Sequence, residues 1–218
     1  VRAYVFSSTD PGRLAGFIDM LGVHEIEVRE LDRAVSVDGR GFEPGNAFIV
    51  VADQTHYRII KGLFASEIIE DRNEFYDVSG WTQPLAWDID YGELRGRAFS
   101  SNLAGDLVEN FMPSVPTPEP SPYVYVMEWD CYYAPRALYR LLDAGLHARV
   151  IPDETTVSTS AGTVQTGRGA IVVPIAGQEL DPDQIHALMA RAARDDFVTV
   201  HSAITGLTSR GSDLGGFR

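Results

Sequence analysis

Apolar positions along this chain fall into two patterns that alternate. One is a short continuous run, as in Ala47–Val51; the other repeats at i, i+3, i+4 and i+7, as in Leu14, Phe17, Ile18 and Leu21. The first predicts buried strands and the second one-sided helices. Tyr4 to Phe6 reads as a strand, and Asp10-Pro11 as the N-cap and first turn of the Leu14–Leu21 helix, which stops at Gly22. A strand over 26–31 follows, then a hairpin from Val35 through the turn pair Asp38-Gly39. After Pro44-Gly45 come the strand 47–51 and a second helix over 55–65. Residues 75–87, with Trp81, Pro84 and Trp87, read as a packed loop, and 88–112 carry no clear period.

The order then returns. Residues 123–127 predict a strand, and 134–144 a helix with Leu138, Leu141 and Leu142 inward and a stop at Gly145. A strand over 147–151, a hairpin over 155–166 around Ala161-Gly162 and a buried strand over 170–173 follow. Asp181-Pro182 opens a helix with Ile185, Leu188, Met189 and Ala192 on one face, and 197–201 forms the last strand.

Between the halves, Pro113-Ser-Val-Pro-Thr-Pro-Glu-Pro-Ser-Pro122 has five prolines in ten residues. Each fixes φ and removes a donor, so the stretch is an extended connector. It separates a unit over 1–112 from one over 123–218. Val35-Ser36 matches Val157-Ser158, Gly45 matches Gly167, and Ile49-Val-Val51 matches Ile171-Val-Val173, each 122 residues apart (157 − 35, 167 − 45, 171 − 49), while Tyr4-Val5 matches Tyr123-Val124. A duplication accounts for this, and independent convergence on a common order is the alternative. Apolar strands alternating with one-sided helices predict an α/β fold of two related, mostly parallel-sheet units covered on both faces.

Charge narrows the function. Eighteen basic against 31 acidic residues leave −13, which disfavours a binder that tracks nucleic-acid phosphates. No apolar run is long enough to span a bilayer. One cysteine excludes an intrachain disulfide. The opening Val-Arg-Ala-Tyr, without an initiator Met, reads as a piece of a longer polypeptide.

Three stretches carry a family likeness: Ile26-Glu-Val-Arg-Glu-Leu31; Phe42-Glu-Pro-Gly-Asn-Ala-Phe-Ile-Val-Val-Ala-Asp-Gln54, leading into Tyr57 to Phe64; and Tyr76-Asp-Val-Ser-Gly-Trp-Thr-Gln-Pro-Leu85. Together they resemble the region downstream of the catalytic domain in large bacterial zinc carboxypeptidases of the carboxypeptidase A superfamily. The third looks like that family's Tyr-Asp-Val-x-x-Trp-x-x-Pro-Leu signature at every fixed position. The second half is similar to the class I glutamine amidotransferase-like, flavodoxin-like domain that follows there. This chain departs at Gln54-Thr55, where the family has Gln-Pro, and at Trp87-Asp88, where it has small residues. The resemblance implies an accessory, non-catalytic C-terminal region of a secreted or periplasmic metallocarboxypeptidase. Its partners would be its own N-terminal peptidase domain and a peptide or cell-wall substrate. Zinc would belong to the parent catalytic domain, and this chain would hold no cofactor.

The candidate sites are few. His24, Glu27 and the distant His147 match a His-x-x-Glu plus His zinc spacing. However, residues three apart on a strand face opposite sides, and the family's Asn-Arg carboxylate-binding dipeptide is absent from the chain. Cys131 follows a strand and precedes a helix like an amidotransferase nucleophile, yet it has no flanking glycine and sits near Glu128 and Asp130, which oppose thiolate formation. The loop itself is the better candidate. At the carboxyl end of a parallel strand, Glu128, Trp129, Asp130, Tyr132 and Tyr133 would cluster as a patch suited to a glycan or peptide. This makes a free-standing ligand-binding module the alternative function, set against plain packing of the aromatics. His56, His186 and His201 read as surface or strand-end residues, and Gly211 to Gly216 as a flexible tail.

Overall fold

The computed structural model describes residues 1–65 and 82–214. Two compact units divide it, Val1–Met112 and Pro113–Arg218, with no regular structure over 113–121.

Unit 1 runs β1 (Ala3–Ser7), α1 (Pro11–Val23), β2 (Arg29–Leu31), β3 (Val35–Val37), β4 (Arg40–Phe42), β5 (Ala47–Val51), α2 (Tyr57–Leu63), α3 (Gln83–Ala86), β6 (Asp90–Leu94) and β7 (Ala104–Leu107). Asp10 caps α1 as its sequence implies, its carboxylate accepting from the Gly12 and Arg13 N–H groups at 2.8 and 3.1 Å. The β3–β4 turn has Asp38 and Gly39 both at positive φ (50° and 82°), which the right-handed twist of a two-residue hairpin requires.

The sheet order is β6-β1-β5-β2-β7, and every pairing is antiparallel. The expectation of mostly parallel sheets is therefore wrong in direction, although the mixed α/β content stands. The reason is geometric. α1 carries the chain from β1 to β2, which run the same way, but it leaves a gap that β5 fills in the opposite sense. This is the split β-α-β arrangement. Both faces of the sheet are still covered, which is why its strands read as continuous apolar runs. Tyr4, Phe6, Phe48 and Val50 face α1 and α2, against Phe17, Leu21, Ile60 and Phe64. Val5, Ile49 and Leu94 face the β3–β4 hairpin, against Phe42 and Leu103.

Strand β6 lies where the sequence has no clear period, because in Asp90-Tyr-Gly-Glu-Leu94 only Gly92 and Leu94 are buried. Gly92 has a specific reason to be glycine. A Cβ built there would meet Val37 Cβ at 2.7 Å and Cγ1 at 2.8 Å, so the hairpin rests directly on its backbone. A β-branched Val37 cannot swing away by rotamer. Gly92→Val is expected to cost about 1–3 kcal/mol, read as a lower urea midpoint with an unchanged slope. An unchanged midpoint would mean that the hairpin does not sit on β6.

Unit 2 repeats the plan with β8 (Val124–Met127), α4 (Ala134–Asp143), β9 (Arg149–Val150), β10 (Thr155–Thr159), β11 (Gly162–Thr166), β12 (Ile171–Pro174), α5 (Pro182–Asp196) and β13 (Val200–Ala203). Its sheet order is β11-β10-β13-β8-β12-β9, again antiparallel throughout. A flavodoxin-like unit needs a doubly wound parallel sheet, so the flavodoxin-like, amidotransferase-like expectation for this half is corrected. Here α4 and α5 cover Tyr125, Met127, Ile171 and Val173, while Val124, Val126 and Val172 face Val157 and Leu214. Leu142, expected inward, is 50% exposed; the buried stripe of α4 is Ala134, Ala137 and Leu141.

Strand for strand, β13-β8-β12-β9 reproduces β6-β1-β5-β2. Details repeat too. The Gln54 amide clamps the Glu27 peptide, accepting its N–H at 2.8 Å, donating to its C=O at 3.0 Å, and donating to the Val51 C=O at 2.8 Å. Gln178 does the same to His147 (2.8 and 2.9 Å) and to the Pro174 C=O (2.9 Å). Each first helix ends with a left-handed residue, Glu25 or Gly145, and with the Ile26 or Leu146 N–H donating back five residues at 3.1 Å. The matches move from those read in the sequence by one residue in β5 and β12 and by two in β1 and β8, where Tyr4 corresponds to Tyr125 rather than Tyr123. Val50 and Val173 both face helices, and they pair with Tyr4 and Tyr125. Ile49 thus corresponds to Val172 rather than Ile171, since a one-residue slip turns every side chain to the other face.

Candidate functional site

The sequence places five candidate residues in the loop between β8 and α4. Continuing the pleat of β8, Glu128 turns toward the hairpin side of the sheet and is only 9% exposed. Its Oε2 accepts the Gly167 N–H at 3.2 Å, and its Oε1 lies 3.1 Å from His201 Nε2 on β13. This carboxylate ties three segments of unit 2 together. Trp129, 40% exposed, lies beside Gly169, where an added Cβ would come within 3.7 Å of the indole. Gly169 takes φ 87° and is the turn glycine corresponding to Gly45 at φ 84°.

Asp130 is exposed and Tyr132 is 48% exposed. Tyr132 meets Tyr133 edge to face, with ring centroids 5.0 Å apart. The face of Tyr133 is occupied, because the Arg136 guanidinium stacks 3.7 Å from its centroid. Arg136 and Arg140, one turn apart on α4, both donate to Asp196 Oδ1 at the end of α5, at 2.5 and 2.7 Å. Asp196 is 1% exposed, so a buried carboxylate is neutralised by two half-buried cations and locks α4 to α5. Cys131 is half-buried against the α4–α5 core, the environment of a packing thiol.

Of the five residues, then, Glu128 and Tyr133 are held in internal contacts, and Trp129, Asp130 and Tyr132 are exposed, Tyr132 with one edge against Tyr133. An antiparallel sheet also removes the reason for expecting a ligand there, since ligands gather at strand carboxyl ends when neighbouring strands all end on the same side. Pockets open elsewhere. One of about 270 Å³ lies between α4 and α5 beside Arg140, Arg191 and Asp196. Another of about 540 Å³, beside Glu25, Glu27, Asp53 and His56, is shallow and acidic.

The residues of the zinc spacing have structural duties. His24 caps α1, its N–H donating to Leu21 at 3.1 Å. Glu27 and His147 are the peptides clamped by Gln54 and Gln178, so they hold equivalent positions in two separate units. Among the described residues no three His, Cys, Asp or Glu side chains converge as a metal site.

All three remaining histidines make contacts that the sequence reading missed, and His56 Nε2 lies 3.3 Å from Glu25 Oε2. His186 and His201 are not free strand-end or surface residues: His201 pairs with Glu128, and His186 Nδ1 lies 2.9 Å from the Tyr125 hydroxyl, which also accepts the Ser121 N–H at 3.0 Å. Burial pushes the Tyr125 phenol up, partly offset by that N–H. The segment after Gly211 is likewise pinned, not loose, as far as Leu214, which is 2% exposed. Residues 215 and 216 lie outside the described residues, as do Trp81 and most of the Tyr76 to Leu85 signature. Of its neighbours, Pro84 is buried and Trp87 packs on the unit 1 core while its C=O accepts from Arg13 at 3.2 Å.

Tyr4, the counterpart of Tyr125, stacks on Phe64 with centroids 4.4 Å apart. Burial first, and Glu93 second, push its phenol up to about 12. An unfolded tyrosine titrates near pH 10, so folded chains keep this proton longer. The stability it contributes is complete below about pH 10 and is lost as pH rises to about 12. Tyr4→Phe is expected to flatten the fall of the urea midpoint across that window. Parallel falls in both proteins would refute the assignment.

Comparison with known protein families, with curated proteins and with solved structures finds no match. No helix among the described residues is long and apolar enough to cross a membrane.

Proposed function

We propose that this chain is an accessory, non-catalytic part of a zinc-dependent carboxypeptidase, exported from a bacterial cell, and that it supports the peptidase domain or presents substrate to it. The observation that carries the reading is Tyr76-Asp-Val-Ser-Gly-Trp-Thr-Gln-Pro-Leu85, together with the stretches around Glu27 and Gln54. The structure lends support of a different kind. Glu128, His201, Asp196, Tyr125 and His186 are the buried or half-buried groups best placed for chemistry, and each is engaged with a partner inside its own unit. Gln54, in the second matched stretch, is a structural clamp whose twin is Gln178. A residue set spent on holding sheets and helices together suits a scaffold better than an active centre.

The test is the native polypeptide. Precipitated from its source cells under denaturing conditions and mapped by mass spectrometry, it should extend beyond this chain into a segment with a His-x-x-Glu zinc motif. A polypeptide with no peptidase segment would end the proposal.

A further inference from the structure

At one end of the unit 1 sheet, the two layers that cover it enclose a cavity. β1 and β5 stay paired as far as Ala3 and Val51, and one further bond joins the Ala52 N–H to the Arg2 C=O at 2.9 Å. Beyond that bond, Tyr57 comes from the helix layer and Phe99 from the hairpin layer. The cavity they line has a volume of about 470 Å³, with Val51 also in its wall and Arg2, Asp53 and Ser101 at its rim. That volume falls within the range of small-ligand pockets, and apolar walls with a few polar groups are their usual make-up.

Two of those polar groups are uncommitted. Arg2 and Asp53 are exposed, they do not pair with each other, and neither side chain makes a hydrogen bond or ion pair among the described residues. The fold does not require them either. At the equivalent end of the unit 2 sheet the Ile175 N–H donates to the Tyr123 C=O, also at 2.9 Å, and Ala176 follows. Tyr123 and Ala176 thus hold the places of Arg2 and Asp53 without a charge. The field across the cavity is uneven. Asp53 also borders the acidic pocket beside Glu25 and Glu27, so that side favours an ammonium and opposes a simple anion drawn to Arg2.

We propose that this cavity binds a free α-amino acid with an apolar or aromatic side chain. Arg2 takes the carboxylate, Asp53 takes the ammonium, and the side chain lies between Tyr57 and Phe99. Both charges of such a ligand meet side chains that no other described group engages, whereas an anion or a cation alone leaves one of the two unused. The inference goes beyond the accessory role and does not rest on it.

The experiment titrates the full isotope-labelled chain with L-phenylalanine to millimolar concentration. It is repeated with N-acetyl-L-phenylalanine, which lacks the ammonium, and with L-phenylalanine amide, which lacks the carboxylate. L-phenylalanine should bind best, with the resonances of Val51, Tyr57 and Phe99 moving first. Asp53→Asn should weaken L-phenylalanine about tenfold without weakening the N-acetyl compound. Arg2→Gln should weaken L-phenylalanine about tenfold without weakening the amide. Both changes lie on the surface, and an amide spectrum unaltered away from the cavity shows that the fold is kept. No binding of L-phenylalanine at millimolar concentration, shifts centred elsewhere, equal binding of the three compounds, or variants that weaken all three alike would each overturn the proposal.

Discussion

Phe17→Ala is expected to cost about 3–5 kcal/mol, the range for emptying an aromatic site in a close-packed core. Phe17 is fully buried on α1 and meets Phe6 and Phe64 edge to face, with centroids 5.0 and 5.8 Å apart. Three rings that hold one another leave little freedom to collapse into the space, so the cost belongs near the upper end. Folded domains of this size are stable by only about 5–15 kcal/mol, so the loss brings unit 1 close to unfolding. Each unit has its own core, and hydrogen exchange should therefore report the loss unevenly. Amides of β1, β5 and α1 should lose protection while those of β8, α4 and α5 keep it. Equal loss in both units would contradict the separation of cores. Tyr139→Ala, which removes a side chain 69% exposed on α4, should move stability by no more than about 0.5 kcal/mol and serves as the control.

Gly211→Ala should have the next largest effect, about 2–4 kcal/mol. Gly211 has φ 89°, and a Cβ there would come within 2.4 Å of the Glu154 C=O and of Thr155 Oγ1. The first of these is main chain and cannot rotate away. The neighbouring residues fasten the segment over the sheet: the Arg210 C=O accepts the Thr156 N–H at 2.9 Å, the Ser212 N–H donates to Thr155 Oγ1 at 3.1 Å, and Leu214 fills the core behind β10. An alanine forces this strap off, so urea unfolding should show a lower midpoint and proteolysis should cut first near residue 211. An unchanged midpoint would mean that the segment does not lie against β10.

Much of each unit was legible because local chemistry and tertiary role agree there. Asp10-Pro11 and Asp181-Pro182 start helices where their capping geometry requires, and Asp181 with Gln184 forms a complete capping box. Asp38-Gly39 makes the turn its backbone preferences favour, and Ala47–Val51 is a strand from end to end. Strand direction was not legible. A helix-linked pair looks the same in sequence whether its strands are neighbours or leave a gap for a third, and burial of both faces erased the alternation that marks antiparallel strands. Strand β6 escaped notice because a glycine and two acids occupy positions that a hairpin and a sheet edge accept.

At the candidate loop, the chemistry of Glu128 to Tyr133 was visible but its partners were not. His201 is 73 residues from Glu128, and Asp196 is 60 from Arg136. Only the Arg136 and Arg140 spacing, one turn apart on α4, hinted that a buried anion faces that helix. The duplication was readable to within two residues: Tyr4 and Gly45 correspond to Tyr125 and Gly169, each two beyond the match read from the sequence, and Ile49 to Val172, one beyond. The error of one arose because Ile-Val-Val aligns equally well on either face of a strand.

The accessory reading is tested most directly by the zinc content and peptidase activity of the purified chain after growth with zinc and exhaustive dialysis. Zinc far below one atom per chain, with no release of C-terminal residues from a synthetic peptide, is the expected result. One zinc held per chain through dialysis, with C-terminal residues released, would contradict it.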